Sequence, residues 1–212
     1  FHLFYISGEV GKGCYDLGNE IIIGHAISKN LYKWQKVEDA LVYNPQLPWE
    51  NRGIYAPYVI KHKKKFYMFY ASHNIEKAEF MCLATSKDLF NWEKHPFNPI
   101  FLPSKEWAFW DIKKSCSCRD PHVIFEKEYG FMMYYVADIK KDITFSCIAV
   151  ATSNDLIHWQ DLGPVLIRKK SFYEGTCCKT ESPCVIKYSN RYYLFYRHGN
   201  GTKFSISDNP LD

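Results

Sequence analysis

Short runs of aromatic and aliphatic residues, each opened by a proline and broken by a charged or glycine-containing turn, recur along the chain in a fixed order. Tyr-Ala-Pro-Tyr-Val-Ile and then Lys-Phe-Tyr-Met-Phe-Tyr occupy residues 55 to 70. Arg-Asp-Pro-His-Val-Ile and Gly-Phe-Met-Met-Tyr-Tyr occupy 119 to 135, and Glu-Ser-Pro-Cys-Val-Ile and Arg-Tyr-Tyr-Leu-Phe-Tyr occupy 181 to 196. The marker prolines Pro57, Pro121 and Pro183 are spaced by 64 and 62 residues. A second element, an apolar strand followed by Ser-x-x-Leu-x-x-Trp, ends at Trp34, Trp92 and Trp159. Self-similarity at such a period decides the architecture before any local propensity does.

Each unit is predicted to hold an inner strand, a turn, an aromatic strand, a third strand, a Ser-x-x-Leu turn and a Trp-bearing outer strand. Four antiparallel strands per repeat make a blade, and blades stacked radially make an all-β propeller with little helix. The Leu and Trp of the second element are expected to pack between blades. The units divide at 1–47, which lacks an inner strand, 48–106, 107–170 and 171–212, which stops short of its outer turn. The chain is therefore expected to be an incomplete part of a propeller. Phe1 is not an initiator Met, and residues 1–5 read as the middle of a strand, which points to processing or truncation upstream.

Composition narrows the partners. A 17% aromatic content favours pleated, half-buried surfaces. The net charge of +4 draws its densest basic cluster from Lys61 to Lys65, where a hairpin turn belongs, and no second basic stripe supports binding to nucleic acid. No apolar run approaches the ~18 residues of a membrane span. No cofactor is expected. Cys82, Cys147 and Cys184 fall inside apolar strands and read as buried free thiols, which leans toward a cytoplasmic setting. Cys116, Cys118, Cys177 and Cys178 precede two carboxylates, but Cys-x-Cys and Cys-Cys match zinc spacing poorly. The sequon at Asn200 is as readily chance as a glycosylation site.

Inner strands of a propeller converge on its axis, so equivalent residues of different blades share one cavity. Asp120 and Glu181 each lie 15 residues before the last Tyr of their aromatic strands, Tyr135 and Tyr196, which predicts matching heights. Two converging carboxylates suit glycosidic cleavage, one protonating the departing oxygen and one acting as nucleophile or base. They also suit a plain ion pair in the channel. Arg119 is expected to keep Asp120 charged and to offer forked donors to sugar hydroxyls. Trp110 and Trp49 offer flat apolar faces for sugar rings or simple loop packing, as do Trp107 and Phe109 nearby. His122 and His198 face the channel or bond within the sheet.

Gly24-His25-Ala26-Ile27-Ser28 with Leu31 and Trp34, Arg119-Asp120-Pro121 and Glu181-Ser182-Pro183 together resemble the five-bladed β-propeller glycoside hydrolases. The closest similarity is to the family 32 β-fructosidases of invertase, inulinase and levanase type, with a looser one to the family 43 arabinofuranosidases and xylosidases. The resemblance implies a small carbohydrate or oligosaccharide substrate. It implies that Asp120, with Arg119, grips sugar hydroxyls and that Glu181 is the general acid/base. Ser182 departs from the Cys common after this Glu in family 32, and Tyr58 departs from the Asp of the family 43 Trp-Ala-Pro-Asp pattern. The third carboxylate of these families, an Asp on the first inner strand, is expected about ten residues upstream of Phe1 when the same 15-residue offset is applied to Tyr5. Glu9, Asp16 and Asp39 lie on the wrong part of the repeat to replace it. The alternatives are an inverting arabinofuranosidase or xylosidase and a non-catalytic carbohydrate-binding propeller.

Overall fold

A computed structural model describes residues 1–9, 11, 19–168, 179–199 and 201–212. Cys177, Cys178, Asp16 and the sequon asparagine at 200 lie outside the described residues. Among the described residues there is no helix, and sixteen strands form four antiparallel sheets. The first contains β1 (His2–Ser7), β2 (Ile22–Ile27), β3 (Gln35–Lys36) and β4 (Leu41–Val42), with β3 and β4 both pairing with β2. The second runs β5 (Gly53–His62), β6 (Lys65–His73), β7 (Glu79–Ser86) and β8 (Glu93–Lys94). In the third, β10 (Cys118–Glu126), β11 (Gly130–Ile139), β12 (Asp142–Ser153) and β13 (Gln160–Leu166) follow in order, and β9 (Ala108–Phe109) adds to β11. The fourth is β14 (Thr180–Tyr188), β15 (Arg191–His198) and β16 (Gly201–Ser207).

This is the propeller-like arrangement that the repeat demands. The aromatic strand lies in the middle of the second, third and fourth sheets and is buried on both faces in the second and third, as at Phe69 and Tyr70 and again at Tyr134 and Tyr135, whereas in the first sheet β1 is a partly exposed edge strand. Inter-sheet cores fill the gaps: Phe69, Met81 and Leu83 pack with Val123, Met133 and Tyr135 between the second and third sheets. Ile23 and Leu41 pack with Met68, Tyr70 and Cys82 between the first and second. The basic cluster forms the β5–β6 turn, with Lys63 in the left-handed region.

The Ser-x-x-Leu element has a local cause. Ser28, Ser86 and Ser153 each accept through Oγ the backbone amide three residues on, that of Leu31, Leu89 or Leu156, at 2.9 Å. Those leucines have φ of 66°, 70° and 69°. A non-glycine residue there costs roughly 1–2 kcal/mol, so the serine bonds and the packing of the turn must offset it. Leu156 is fully buried, and Trp92 and Trp159 pack against the inter-sheet cores as expected. The first unit departs from the expectation: Leu31 is 55% and Trp34 38% exposed.

A second repeated device sets the height of each inner strand against the preceding sheet. The amides of Ile54, Cys118 and Thr180, each three residues before its proline, are all held from the preceding unit. Ile54 N donates to the Glu20 carbonyl at 2.7 Å, Cys118 N to Glu79 Oε2 at 3.0 Å and Thr180 N to Ser146 Oγ at 3.0 Å.

Candidate active site

Each inner strand carries a bulge at its proline. Register shifts fall between Tyr55 and Tyr58, Arg119 and His122, and Glu181 and Cys184. The residue before proline has positive φ in all three: 49° at Ala56, 54° at Asp120 and 56° at Ser182. Bulges with a left-handed residue re-aim side chains, and here they do so on three strands that converge. Convergence is direct at the next position: the Tyr58 and His122 ring centroids are 4.5 Å apart, and burial, with Cys184 close by, pushes the Tyr58 hydroxyl up.

The bulges correct the expected register of the two carboxylates. Arg119 and Glu181 both stand two residues before proline, whereas Asp120 is equivalent to Ser182. The equal 15-residue offsets arose because the β10–β11 turn is one residue longer than the β14–β15 turn: Glu126 pairs with Gly130, but Tyr188 with Arg191. Asp120 and Glu181 are neighbours through this stagger rather than at matching heights.

Arg119 organises the cluster. Its NH1 donates to both Glu79 oxygens at 3.1 and 3.0 Å and to Ser117 Oγ at 2.6 Å, while NH2 donates to Glu181 Oε1 at 2.6 Å. Burial opposes the guanidinium charge, and the carboxylates of Glu79, Asp120 and Glu181 outweigh it and keep Arg119 protonated. Asp120 Oδ2 is 3.9 Å from Arg119 Nε and accepts the Ser182 amide at 2.9 Å. Arg119 was expected to hold Asp120 charged. Burial outweighs that attraction and raises the Asp120 pKa, with the Arg119 charge and the Ser182 amide opposing and Glu79 and Glu181 reinforcing it. Arg197 approaches Glu181 Oε2 at 3.7 Å from a largely exposed position.

Two carboxylates near this cluster were not singled out in the sequence. Glu79 opens β7 at the position that Ser146 occupies in β12, so its only signal was an acid at the head of an apolar strand. Glu20 lies before β2; burial raises its pKa, with Glu79 adding and Arg119 and Arg52 opposing. The remaining candidates lie around the cluster or away from it. The Trp110 indole donates to the Glu79 carbonyl at 2.9 Å and its ring meets Phe80 edge-on. Trp49 packs against the core between the first two sheets, its indole nitrogen buried without a partner. His122 Nε2 pairs with the Val185 carbonyl at 3.0 Å, and His198 Nδ1 with Thr180 Oγ1 at 3.0 Å. Trp107 donates to Asp161 at 3.0 Å. Cys82, Cys116, Cys118 and Cys147 are buried free thiols, while Cys184, expected to be buried, is partly exposed.

The model of the glycosyl hydrolases family 32 N-terminal domain matches residues 1–177. This chain belongs to glycosyl hydrolase family 32. The family 32 chain is also 25% identical, over 92% of its length, to a 1,2-β-oligomannan phosphorylase of Thermoanaerobacter sp. (strain X514), covering 59% of that protein. It is 27% identical over 61% of its length to a probable sucrose-6-phosphate hydrolase of Psychromonas ingrahamii, covering 22% of that protein. Among solved structures, a thermostable family-43 glycoside hydrolase superposes with a TM-score of 0.72 at 24% identity, covering 92% of this chain and 65% of that one. The chain thus spans less than two thirds of these relatives, and the likeness in structure establishes the propeller fold.

Proposed function

We propose that this chain carries the acid/base half of a retaining glycoside hydrolase site acting on a β-fructofuranoside bond. Support comes above all from one observation: Arg119 NH2 meets Glu181 Oε1 at 2.6 Å while Asp120 is tied to the next residue, Ser182, at 2.9 Å. Carboxylates from neighbouring blades are thereby gathered around one guanidinium. In this reading Glu181 protonates the departing oxygen and later takes the proton from water. Asp120 and Arg119 hold sugar hydroxyls, with Trp110 beside them, and Trp49 and His122 act as supports further out. The attacking carboxylate is an aspartate of the full-length protein on the inner strand of the first blade. The substrate is a small carbohydrate or oligosaccharide.

The test is hydrolysis of sucrose, inulin and aryl arabinofuranosides by the full-length protein, with Glu181→Gln alongside. Turnover of the fructosides with a loss of roughly 100-fold or more in the variant is expected. Unchanged turnover in Glu181→Gln removes Glu181 from the mechanism, and turnover of the arabinofuranosides alone moves the substrate to the family 43 type. A second reading, phosphorolysis, is favoured by the exposed Arg197 cation 3.7 Å from Glu181 and by the phosphorylase relative. Sugar release that depends on inorganic phosphate distinguishes it.

A further inference from the structure

Glu79 holds two jobs that the repeat separates elsewhere. At the junction of the third and fourth sheets, the amide of Thr180 is held by a neutral serine hydroxyl, Ser146 Oγ, at 3.0 Å. At the junction of the second and third sheets the equivalent amide, Cys118 N, is held at the same distance by Glu79 Oε2. A hydroxyl therefore suffices for the stitch. The carboxylate has further reach, and both oxygens face Arg119 NH1 at 3.1 and 3.0 Å. The Tyr55 hydroxyl faces Glu79 as well, so the carboxylate is approached from its own sheet and from the next. Ser117 Oγ, also on NH1 at 2.6 Å, is itself fixed through its amide, which donates to Asp138 Oδ2 at 2.9 Å.

A guanidinium offers its donors in a rigid plane. Securing NH1 to Glu79 and Ser117 thus determines where NH2 points, and NH2 points at Glu181 Oε1. We propose that Glu79 is a positioning residue that aims the Glu181 carboxyl through Arg119, so that a side chain of the second blade orients the proton donor of the fourth. The proposal rests on Glu181 being the acid/base.

The consequence is chemical and selective. A misaimed acid harms substrates whose leaving group needs a proton and spares those whose leaving group departs without one. In the full-length protein, Glu79→Gln and Glu79→Ser keep an acceptor for Cys118 N and lose the ion pair with Arg119. For both, kcat/KM on sucrose is expected to fall by at least about 30-fold, and on p-nitrophenyl β-fructofuranoside by less than about threefold. Glu79→Asp, which keeps the charge and withdraws it by one methylene, is expected to show the same discrimination in smaller measure. It serves as the test if the other two do not fold. An equal fall on both substrates, no fall on either, or a fall explained by a lower fraction of folded protein overturns the proposal. Glu181→Gln run in parallel separates the two readings: if it discriminates between the substrates and the Glu79 variants do not, only the role of Glu79 fails. If Glu181→Gln itself does not discriminate, the acid/base assignment fails with it.

Discussion

The Asp120 carboxylate accepts the backbone amide of Ser182 at 2.9 Å, so the bulge of the third sheet is fastened directly to the bulge of the fourth. Both residues sit in the left-handed region, where a β-branched side chain is strained and glycine is not. Ser182→Val is expected to lower unfolding stability by about 1–3 kcal/mol, and Ser182→Gly to change it by less than about 1 kcal/mol. Asp120→Asn keeps an acceptor and a residue type that tolerates positive φ, so it is expected to fold normally while losing activity by roughly 100-fold. Denaturant titration of the three variants, beside kinetics, checks both halves.

Glu50 is fully buried and forms an ion pair with Lys94 of β8, which also donates to the Val42 carbonyl of β4 at 2.7 Å and so joins the first two sheets. Burial raises the Glu50 pKa, and Lys94 opposes it. Lys94→Met leaves a buried carboxylate without its counter-ion, with an expected loss of about 3–5 kcal/mol at neutral pH. A raised carboxyl pKa means that the folded state binds the proton more tightly than the unfolded chain. Its stabilising contribution is therefore present at low pH and lost as pH rises. The deficit of Lys94→Met should shrink between pH 7.5 and pH 5, and Glu50→Gln in the same background should recover most of it. Urea midpoints at the two pH values measure this.

His73, at the end of β6, is pushed down to about 4 by burial, with Glu79 opposing and Arg52 and Lys77 adding to the effect. The unfolded chain, with an imidazole near 6.5, takes up the proton first. Stability is thus complete above the unfolded value and falls as pH drops from about 6.5 to about 4, with a slope approaching about 1.4 kcal/mol per pH unit. His73→Gln should remove this share of the acid sensitivity. Wild-type and variant midpoints followed from pH 7 to pH 4.5 would converge if His73 carries it, and would run parallel if it does not.

The sequence displayed the propeller because its devices repeat. Ser28, Ser86 and Ser153 cap turns whose leucines are all left-handed, and such threefold recurrence is visible without coordinates. Arg119, Asp120 and Glu181 were legible for the same reason, being attached to the marker prolines. Two things were hidden. The stagger between Asp120 and Glu181 depends on a single extra residue in the β10–β11 turn, which counting back from Tyr135 and Tyr196 converts into false equivalence. Glu79 was hidden because it breaks the repeat: its counterpart in β12 is a serine, and its partner lies 40 residues away on another sheet. Departures from a pattern carry a site's individuality, and periodicity is blind to them.

The amides of Ile54, Cys118 and Thr180 have a consequence for how such a molecule can change. Two of the three are held by side chains of the preceding unit, Cys118 by Glu79 and Thr180 by Ser146, while Ile54 is held by the Glu20 backbone carbonyl, so the strands of Arg119 and Glu181 are fastened by groups that substitution can change. The wall of the cavity is therefore adjustable from behind. Natural variation at Glu79 and Ser146 acts on the strands that carry Arg119 and Glu181 while those two side chains stay the same.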